Sequence, residues 1–106
     1  MTGRLLDIAP GAWQEYQRVR ASELGSLVKK ALEQLADDPA LVRANPRSSR
    51  CLIIEKQLRQ TPQVWGVPVD APDGGHWLVV WREIAHVIEI GYIGTARNTQ
   101  EAAEED

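Results

Sequence analysis

Residues 76–93, HWLVVWREIAHVIEIGYI, decide the fold of this chain. The first seven and the last eight of them are rich in β-branched and aromatic side chains, which favour β-strands, and only Glu-Ile-Ala separates the two runs. So short a link joins antiparallel strands. A further extended run at residues 64–69 is followed by Asp-Ala-Pro-Asp-Gly-Gly at residues 70–75, which consists almost entirely of turn-forming residues. The C-terminal half therefore predicts an antiparallel meander.

The N-terminal half has the periodicity of helices. From Leu24 to Leu35, apolar residues recur at offsets of 0, 3, 4, 7, 8 and 11, which is the spacing of an amphipathic helix. Ser22 can cap this helix, and Pro39 ends it because proline cannot continue a helix. The predicted elements are strands at residues 4–9, 51–55, 64–69, 76–82 and 86–93, a first helix at residues 12–20, a second helix between Ser22 and Pro39, and one more turn at residues 40–44.

These elements define an α+β fold. A short N-terminal strand and a helical hairpin precede a three- to four-stranded antiparallel curved sheet, and the helices are expected to pack on one face of that sheet. Proline cannot donate a ladder hydrogen bond, so Pro68 predicts an edge position or a bulge. Residues 1–95 are expected to form a single domain, and residues 96–106 an acidic, disordered tail.

Charge and composition narrow the function classes. The 106 residues carry a net charge of −3, but four acids fall in the last six residues, which leaves 11 acidic against 12 basic residues in the body. A nucleic-acid partner is therefore not excluded. A single cysteine, Cys51, allows no internal disulfide and indicates a reducing compartment. No signal-peptide pattern opens the chain and no apolar run approaches the ~20 residues of a membrane helix, so a cytoplasmic protein is expected.

Motifs for cofactors and metals are absent. Gly74-Gly75 precedes a strand and lacks the Lys-Ser of a phosphate-binding loop. His76 and His86 belong to different predicted strands and do not have the spacing of zinc ligands. Cys51 opens an apolar strand, where packing is a more common role than nucleophilic catalysis. We therefore expect no cofactor and no metal.

Basic side chains cluster around the predicted sheet. They could gather on one side of it and contact phosphates. The alternative is an ordinary solvated surface, since acids such as Glu55, Glu83 and Glu89 lie among them. The seven basic residues are Arg43, Arg47, Arg50, Lys56, Arg59, Arg82 and Arg97.

The chain has four tryptophans and no phenylalanine. Side chains alternate along a strand, so Trp77 and Trp81 share one face and Leu78, Val80 and Arg82 the other. If the tryptophan face is the core, these residues replace the missing phenylalanines, and we expect this for at least one of them. If it is the outer face, Trp77 and Trp81 form an apolar stripe that marks a partner surface.

The order of elements resembles a known family. Pro-Gly-Ala-Trp-Gln-Glu-Tyr at residues 10–16 enters the helical hairpin after the first strand, and Leu-Ala-Asp-Asp-Pro at residues 35–39 ends it. A Trp-led strand, an acidic turn, His-x-Leu-Val-Val and a last apolar strand follow, within residues 64–93. This pattern is similar to that of the RelE/ParE superfamily of bacterial toxin–antitoxin toxins, with the YoeB-like branch closest.

The resemblance implies a small toxin that an antitoxin protein binds. RelE-like members cut messenger RNA in the ribosomal A site, with the RNA's own 2′-hydroxyl as nucleophile, and ParE-like members inhibit DNA gyrase. The chain departs from the YoeB-like pattern at two places. Trp77 stands where that branch has arginine, and Gly94-Thr95-Ala96 replaces its terminal histidine and tyrosine.

For RNA cleavage, the resemblance leads us to expect Lys56, Arg59 and Arg82 at the phosphate and Glu55 as the base. Trp65 and Trp77 would stack on bases, and Arg47 and Arg50 would bind RNA. Alternatively, the chain is a non-catalytic protein-binding module on the same fold, which would use Trp81 to hold its partner, or a gyrase inhibitor.

Overall fold

The computed structural model describes residues 4–50 and 63–96 of the chain. Within these residues, helices lie on one face of a five-stranded sheet, which confirms the predicted α+β class. The strands are β1 (Leu5–Ile8), β2 (Ser49–Arg50), β3 (Trp65–Asp70), β4 (His76–Ile84) and β5 (Val87–Thr95), and the helices are α1 (Pro10–Val19), α2 (Glu23–Asp37) and α3 (Pro39–Ala44). The predicted strand at residues 51–55 and most of the predicted tail lie outside the described residues.

Local sequence signals place the helix ends. Pro10 occupies the first turn of α1, where its missing N–H is not needed. The Ser22 hydroxyl caps α2 and accepts a hydrogen bond from the Gly25 N–H at 3.2 Å. The Asp38 carboxylate caps α3 and accepts one from the Leu41 N–H at 3.1 Å. The predicted cap at Ser22 and the predicted helix end before Pro39 are both confirmed.

The strand order is β1-β5-β4-β3-β2. Strands β3, β4 and β5 form the predicted antiparallel meander. Strand β1 pairs with β5 in parallel, which the sequence pattern did not predict. Within the described part of the chain, β2 pairs only with Trp65 and Gly66, so Pro68 has a strand neighbour on one side alone. Strand β3 itself lies between β4 and β2, so among the described residues Pro68 pairs with Leu78 of β4 and lies beyond the short pairing with β2.

A two-residue turn joins β4 to β5. Both turn residues have left-handed backbone conformations, with φ of 48° at Ala85 and 70° at His86. Positive φ at both central positions is the pattern of a type I′ turn, whose twist matches that of the flanking strands. The turn therefore suits the hairpin, although alanine, unlike histidine, is not a residue type enriched at positive φ.

The core lies between the helices and the odd-numbered side chains of β4. Trp77 is 9% exposed and Trp81 only 1%, and both pack with Val79 in the main apolar cluster. The core interpretation of the tryptophans is thus confirmed. The low exposure of both rings argues against the predicted stacking of Trp77 on bases and the predicted partner contact of Trp81, and these roles stay predictions. The structure contains no helix, among the residues described, that is long and apolar enough to cross a membrane.

Candidate functional site on the distal face of the sheet

The sheet has a second face, which we call the distal face because it is turned away from the helices. Directly paired residues of neighbouring strands share a face. Arg82 pairs with Glu89, and Val80 pairs with Tyr92. Asp7 of β1 pairs with Glu89, while its neighbours Leu6 and Ile8 pack against the core. The side chains of Asp7, Arg82, Glu89 and Tyr92 are therefore brought together on the distal face.

A cavity of about 480 Å³ opens at this place. It combines apolar walls with carboxylate, guanidinium and phenol groups, a mixture typical of ligand-binding clefts. The side chains or backbone of the following residues line it: Asp7, Ile8, Ala9, Pro10, Val64, Val80, Trp81, Arg82, Glu89, Ile90, Gly91 and Tyr92.

A β-bulge shapes the cavity. Trp81 pairs with Ile90 and Val80 with Tyr92, so Gly91 is an extra residue of β5 between the two pairs. Bulges bend a strand and redirect neighbouring side chains, and they are common next to functional sites. Gly91 is exposed, and a Cβ atom at this position would meet nothing within 4 Å. The bulge therefore leaves open space beside Tyr92 and Glu89.

An ion pair crosses the floor of the cavity. The Nε and Nη2 atoms of Arg82 lie 3.0 and 2.9 Å from the same oxygen, Oε1 of Glu89. The two side chains are 28% and 34% exposed, so solvent reaches both. Arg82 lies in the cavity, as a phosphate-binding residue would, but its charge is already balanced by a carboxylate.

The position of the Tyr92 phenol depends on the absence of a side chain at Gly94. A Cβ atom at Gly94 would lie 2.6 Å from the Tyr92 hydroxyl oxygen and 2.8 Å from the carbon that bears it. The hydroxyl donates a hydrogen bond of 2.7 Å to the backbone carbonyl of Thr95. The ring therefore lies along its own strand over Gly94, and its hydroxyl is held at the end of β5.

The two cationic residues near β2 that were predicted to bind RNA do not join this cavity. Arg47 Nη2 lies 2.9 Å from Oδ1 of Asp70, beside a groove between the helices and β3. Arg50 pairs with Trp65, which pairs with Trp81, so Arg50 projects from the face opposite to Arg82. Trp65 itself is half-buried against the core. The structure thus does not gather these residues into one basic patch.

The contact between Arg47 and Asp70 also shifts the pKa of both groups. The hydrogen bond and the charge of Asp70 raise the pKa of Arg47. The hydrogen bond from Arg47 lowers the pKa of Asp70 below its usual value of 3.8, and His76, whose Nδ1 is 3.8 Å away, adds to this effect. Both partners are exposed, so this pair is a surface feature.

A second charge cluster lies on the helical side of the sheet. Glu83 binds Arg4 at 2.8 Å and Arg43 at 3.3 Å. The Arg43 guanidinium lies 5.6 Å from the centre of the Trp81 ring, within range of a cation–π contact. Arg43 therefore ties α3 to β4 and takes a structural role.

Several predicted site residues cannot be placed. Glu55, Lys56, Arg59, Cys51 and Arg97 lie outside the described residues, so their predicted roles stay predictions. Among residues 4–50 and 63–96, no three His, Cys, Asp or Glu side chains are positioned to hold a metal ion.

Sequence reasoning missed Asp7 and Glu89. The signal for Glu89 is its place in an otherwise apolar strand, where a charged residue must face solvent or a partner. Asp7 could be assigned only with knowledge of the parallel pairing between β1 and β5, because that pairing brings it beside Glu89.

Comparison with known proteins supports the fold. No protein-family model matches the sequence, and no curated protein sequence matches it. Among solved structures, the chain is similar to a mutant of the E. coli toxin RelE in its free state, with a TM-score of 0.64. The match covers 96% of this chain and 93% of the RelE chain at 17% sequence identity. The chain therefore has the RelE fold.

Proposed function

We propose that this chain is the toxin component of a bacterial toxin–antitoxin pair and acts in the cytoplasm. The observation that carries the proposal is the shared fold, which extends over nearly the whole of this chain and of a known toxin. The sequence pattern in residues 10–16, 35–39 and 64–93 supports the same family on independent grounds. The partner that follows from this proposal is an antitoxin protein, which would bind the chain and suppress its activity.

The proposed activity is cleavage of messenger RNA on the ribosome, at the distal-face cavity. In this reaction the 2′-oxygen of one nucleotide attacks the adjacent phosphorus, and the bond to the 5′-oxygen of the next nucleotide breaks. A base must take the 2′-hydroxyl proton, an acid must protonate the leaving oxygen, and a cation must stabilise the phosphate. Arg82 is proposed for the phosphate together with Lys56 and Arg59, and Glu55 for the base.

A second candidate is a toxin that acts by binding a protein target such as DNA gyrase. The charge of the cavity favours it, because Asp7 and Glu89 outnumber Arg82 among the described cavity residues. Acidic side chains repel the RNA backbone, whereas they bind basic side chains of a protein.

Inducible expression in bacteria tests the proposal. We expect growth arrest, and we expect the product of the neighbouring gene to relieve it and to copurify with the chain. The double substitution Arg59→Ala and Arg82→Ala should abolish arrest if the chain cleaves RNA. Arg18→Ala, which removes an exposed arginine on α1, is the matched control and should leave arrest intact.

Two reactions in vitro separate the candidate activities. A ribosome-dependent nuclease should cut the message in a translating extract, and primer extension would locate the cut. A gyrase inhibitor should leave the message intact and block supercoiling of plasmid DNA by purified gyrase. Undiminished toxicity of the double variant would rule out Arg59 and Arg82 as essential residues.

A further inference from the structure

The ion pair between Arg82 and Glu89 is built into the hydrogen-bonded register of the sheet. The two residues are direct partners on β4 and β5, the two strands of the hairpin. Both line the distal-face cavity and both are partly exposed. The strand register therefore places the two side chains next to each other on the floor of the cavity.

Glu89 occupies the edge of the Arg82 guanidinium group that is best suited to bind a phosphate. Arginine binds phosphate best through two parallel N–H donors on one edge of the guanidinium group. Here two donors of one edge, Nε and Nη2, both point to Oε1 of Glu89. The Asp7 carboxylate comes from the register partner of Glu89 and lines the same cavity. A phosphate that enters meets a neutralised arginine and a second negative charge.

We propose that Glu89 sets the affinity of the distal-face cavity for phosphate-bearing ligands, and that in the wild-type chain it holds the affinity for single-stranded RNA low. This inference rests on the proposed function, since it takes RNA as the ligand. Glu89 is a charge-balancing residue here and not a catalytic one. Loss of its charge weakens the hold of residue 89 on the Nε and Nη2 donors of Arg82, so that a phosphate competes for them more easily, while the surrounding strand register stays in place.

The expected effect is moderate because solvent screens the pair. Removal of one unit charge beside a bound phosphate, in surroundings between protein and water, changes binding by roughly three- to tenfold. One additional phosphate contact on single-stranded RNA also steepens the dependence of log affinity on log salt concentration by about 0.7.

The test measures binding of a fluorescently labelled single-stranded RNA of about 12 nucleotides to the full chain, between about 50 and 200 mM salt. Glu89→Gln should bind roughly three- to tenfold more tightly than wild type at the low end, with a steeper salt slope. Glu33→Gln removes the same charge from an exposed pair with Lys29 on α2 and serves as the matched control. Arg82→Gln added to Glu89→Gln should remove the gain.

Three results would overturn the inference. Equal gains in RNA affinity for Glu89→Gln and Glu33→Gln would indicate a general charge effect. A gain in RNA affinity that persists after Arg82→Gln, or an affinity of Glu89→Gln equal to or below that of wild type, would also contradict it. Thermal unfolding checks that each variant is folded, and Glu89→Ala replaces Glu89→Gln if the latter does not fold. RNA affinity is measured apart from growth arrest. A chain that arrests growth but shows no effect of Glu89 keeps the proposed function and loses this inference.

Discussion

Gly25 is predicted to be indispensable for the junction of α1 and α2, against the usual preference of helices for alanine. Replacing glycine with alanine in a helix gains up to about 1 kcal/mol. At this position, however, the new Cβ atom would clash with the carbonyl oxygen of Val19 and would lie 2.7 Å from Cα and from the carbonyl oxygen of Arg20. All three contacts are with backbone atoms, which cannot rotate away as a side chain would.

The cost can be worked from these distances. Ordinary contact needs about 3.4 Å, so the end of α1 must move away from α2 by about 1 Å, and overpacking of this kind costs about 1–3 kcal/mol. The Val19 carbonyl also accepts hydrogen bonds from the Ser22 N–H at 2.9 Å and the Ser22 hydroxyl at 2.5 Å. Weakening them costs about 1 kcal/mol more. Once the helix-propensity gain of up to about 1 kcal/mol is subtracted, the net expectation for Gly25→Ala is a loss of about 1–3 kcal/mol.

Denaturant and thermal unfolding of the two variants Gly25→Ala and Gly11→Ala make the measurement. For a domain of this size, a loss of about 1–3 kcal/mol lowers Tm by about 4–12 °C. Gly11 lies in α1, and a Cβ atom there would meet nothing within 4 Å, so Gly11→Ala should be neutral or stabilising by up to about 1 kcal/mol. If Gly25→Ala is as stable as wild type or more so, the reasoning from close backbone approach is refuted.

Three further predictions concern the hairpin, the tyrosine and the surface ion pair. Ala85→Asn with His86→Gly places residues suited to positive φ in the turn and should raise the free energy of unfolding by about 1–2 kcal/mol in urea; no gain would mean that the turn is not strained. Gly94→Ala should displace the Tyr92 ring and break its hydroxyl contact, at a cost of about 1 kcal/mol and with a change in Tyr92 fluorescence or NMR shifts; an unshifted ring would contradict this. The pKa of Asp70 is lowered in the folded state, so its contribution to stability is present above pH 3.8 and is lost as the pH falls through the lower folded value. When the pH is lowered from 7 into the acid range, Asp70→Asn should therefore lose less stability than wild type, which thermal unfolding of both proteins at both pH values would show. An equal loss of stability in the two proteins would refute this prediction.

The meander and the helices could be predicted because the interactions that specify them are local. The turn residues at 70–75 and the short link, predicted at residues 83–85 and found at Ala85 and His86, join neighbouring strands directly and so specify antiparallel pairing. The cap at Ser22 and the stop at Pro39 act within one helical turn. Each of these features depends on residues that are close together along the chain.

The parallel pairing of β1 with β5 could not be predicted. A four-residue strand with the pattern of Leu5–Ile8 fits many neighbours in either direction, and its partner lies at the other end of the chain. For the same reason the sequence did not indicate that Asp7 would lie beside Glu89. Contacts between distant segments are chosen by the packing of the whole core.

The tryptophans show a different limit of prediction from the sequence. Both faces of β4 are apolar, with Trp77, Val79 and Trp81 on one and Leu78 and Val80 on the other. Alternation alone therefore could not tell which face is the core. In the structure the helices cover the tryptophan face, and Val80 lines the cavity on the distal face.

The proposal that this chain is a toxin is tested most directly by the growth of bacteria after induction of the wild-type chain, with and without the product of the neighbouring gene. We predict arrest within a few generations when the chain is expressed alone and normal growth when the product of the neighbouring gene is expressed with it. Normal growth of cells that accumulate the folded chain without the neighbour would contradict the claim.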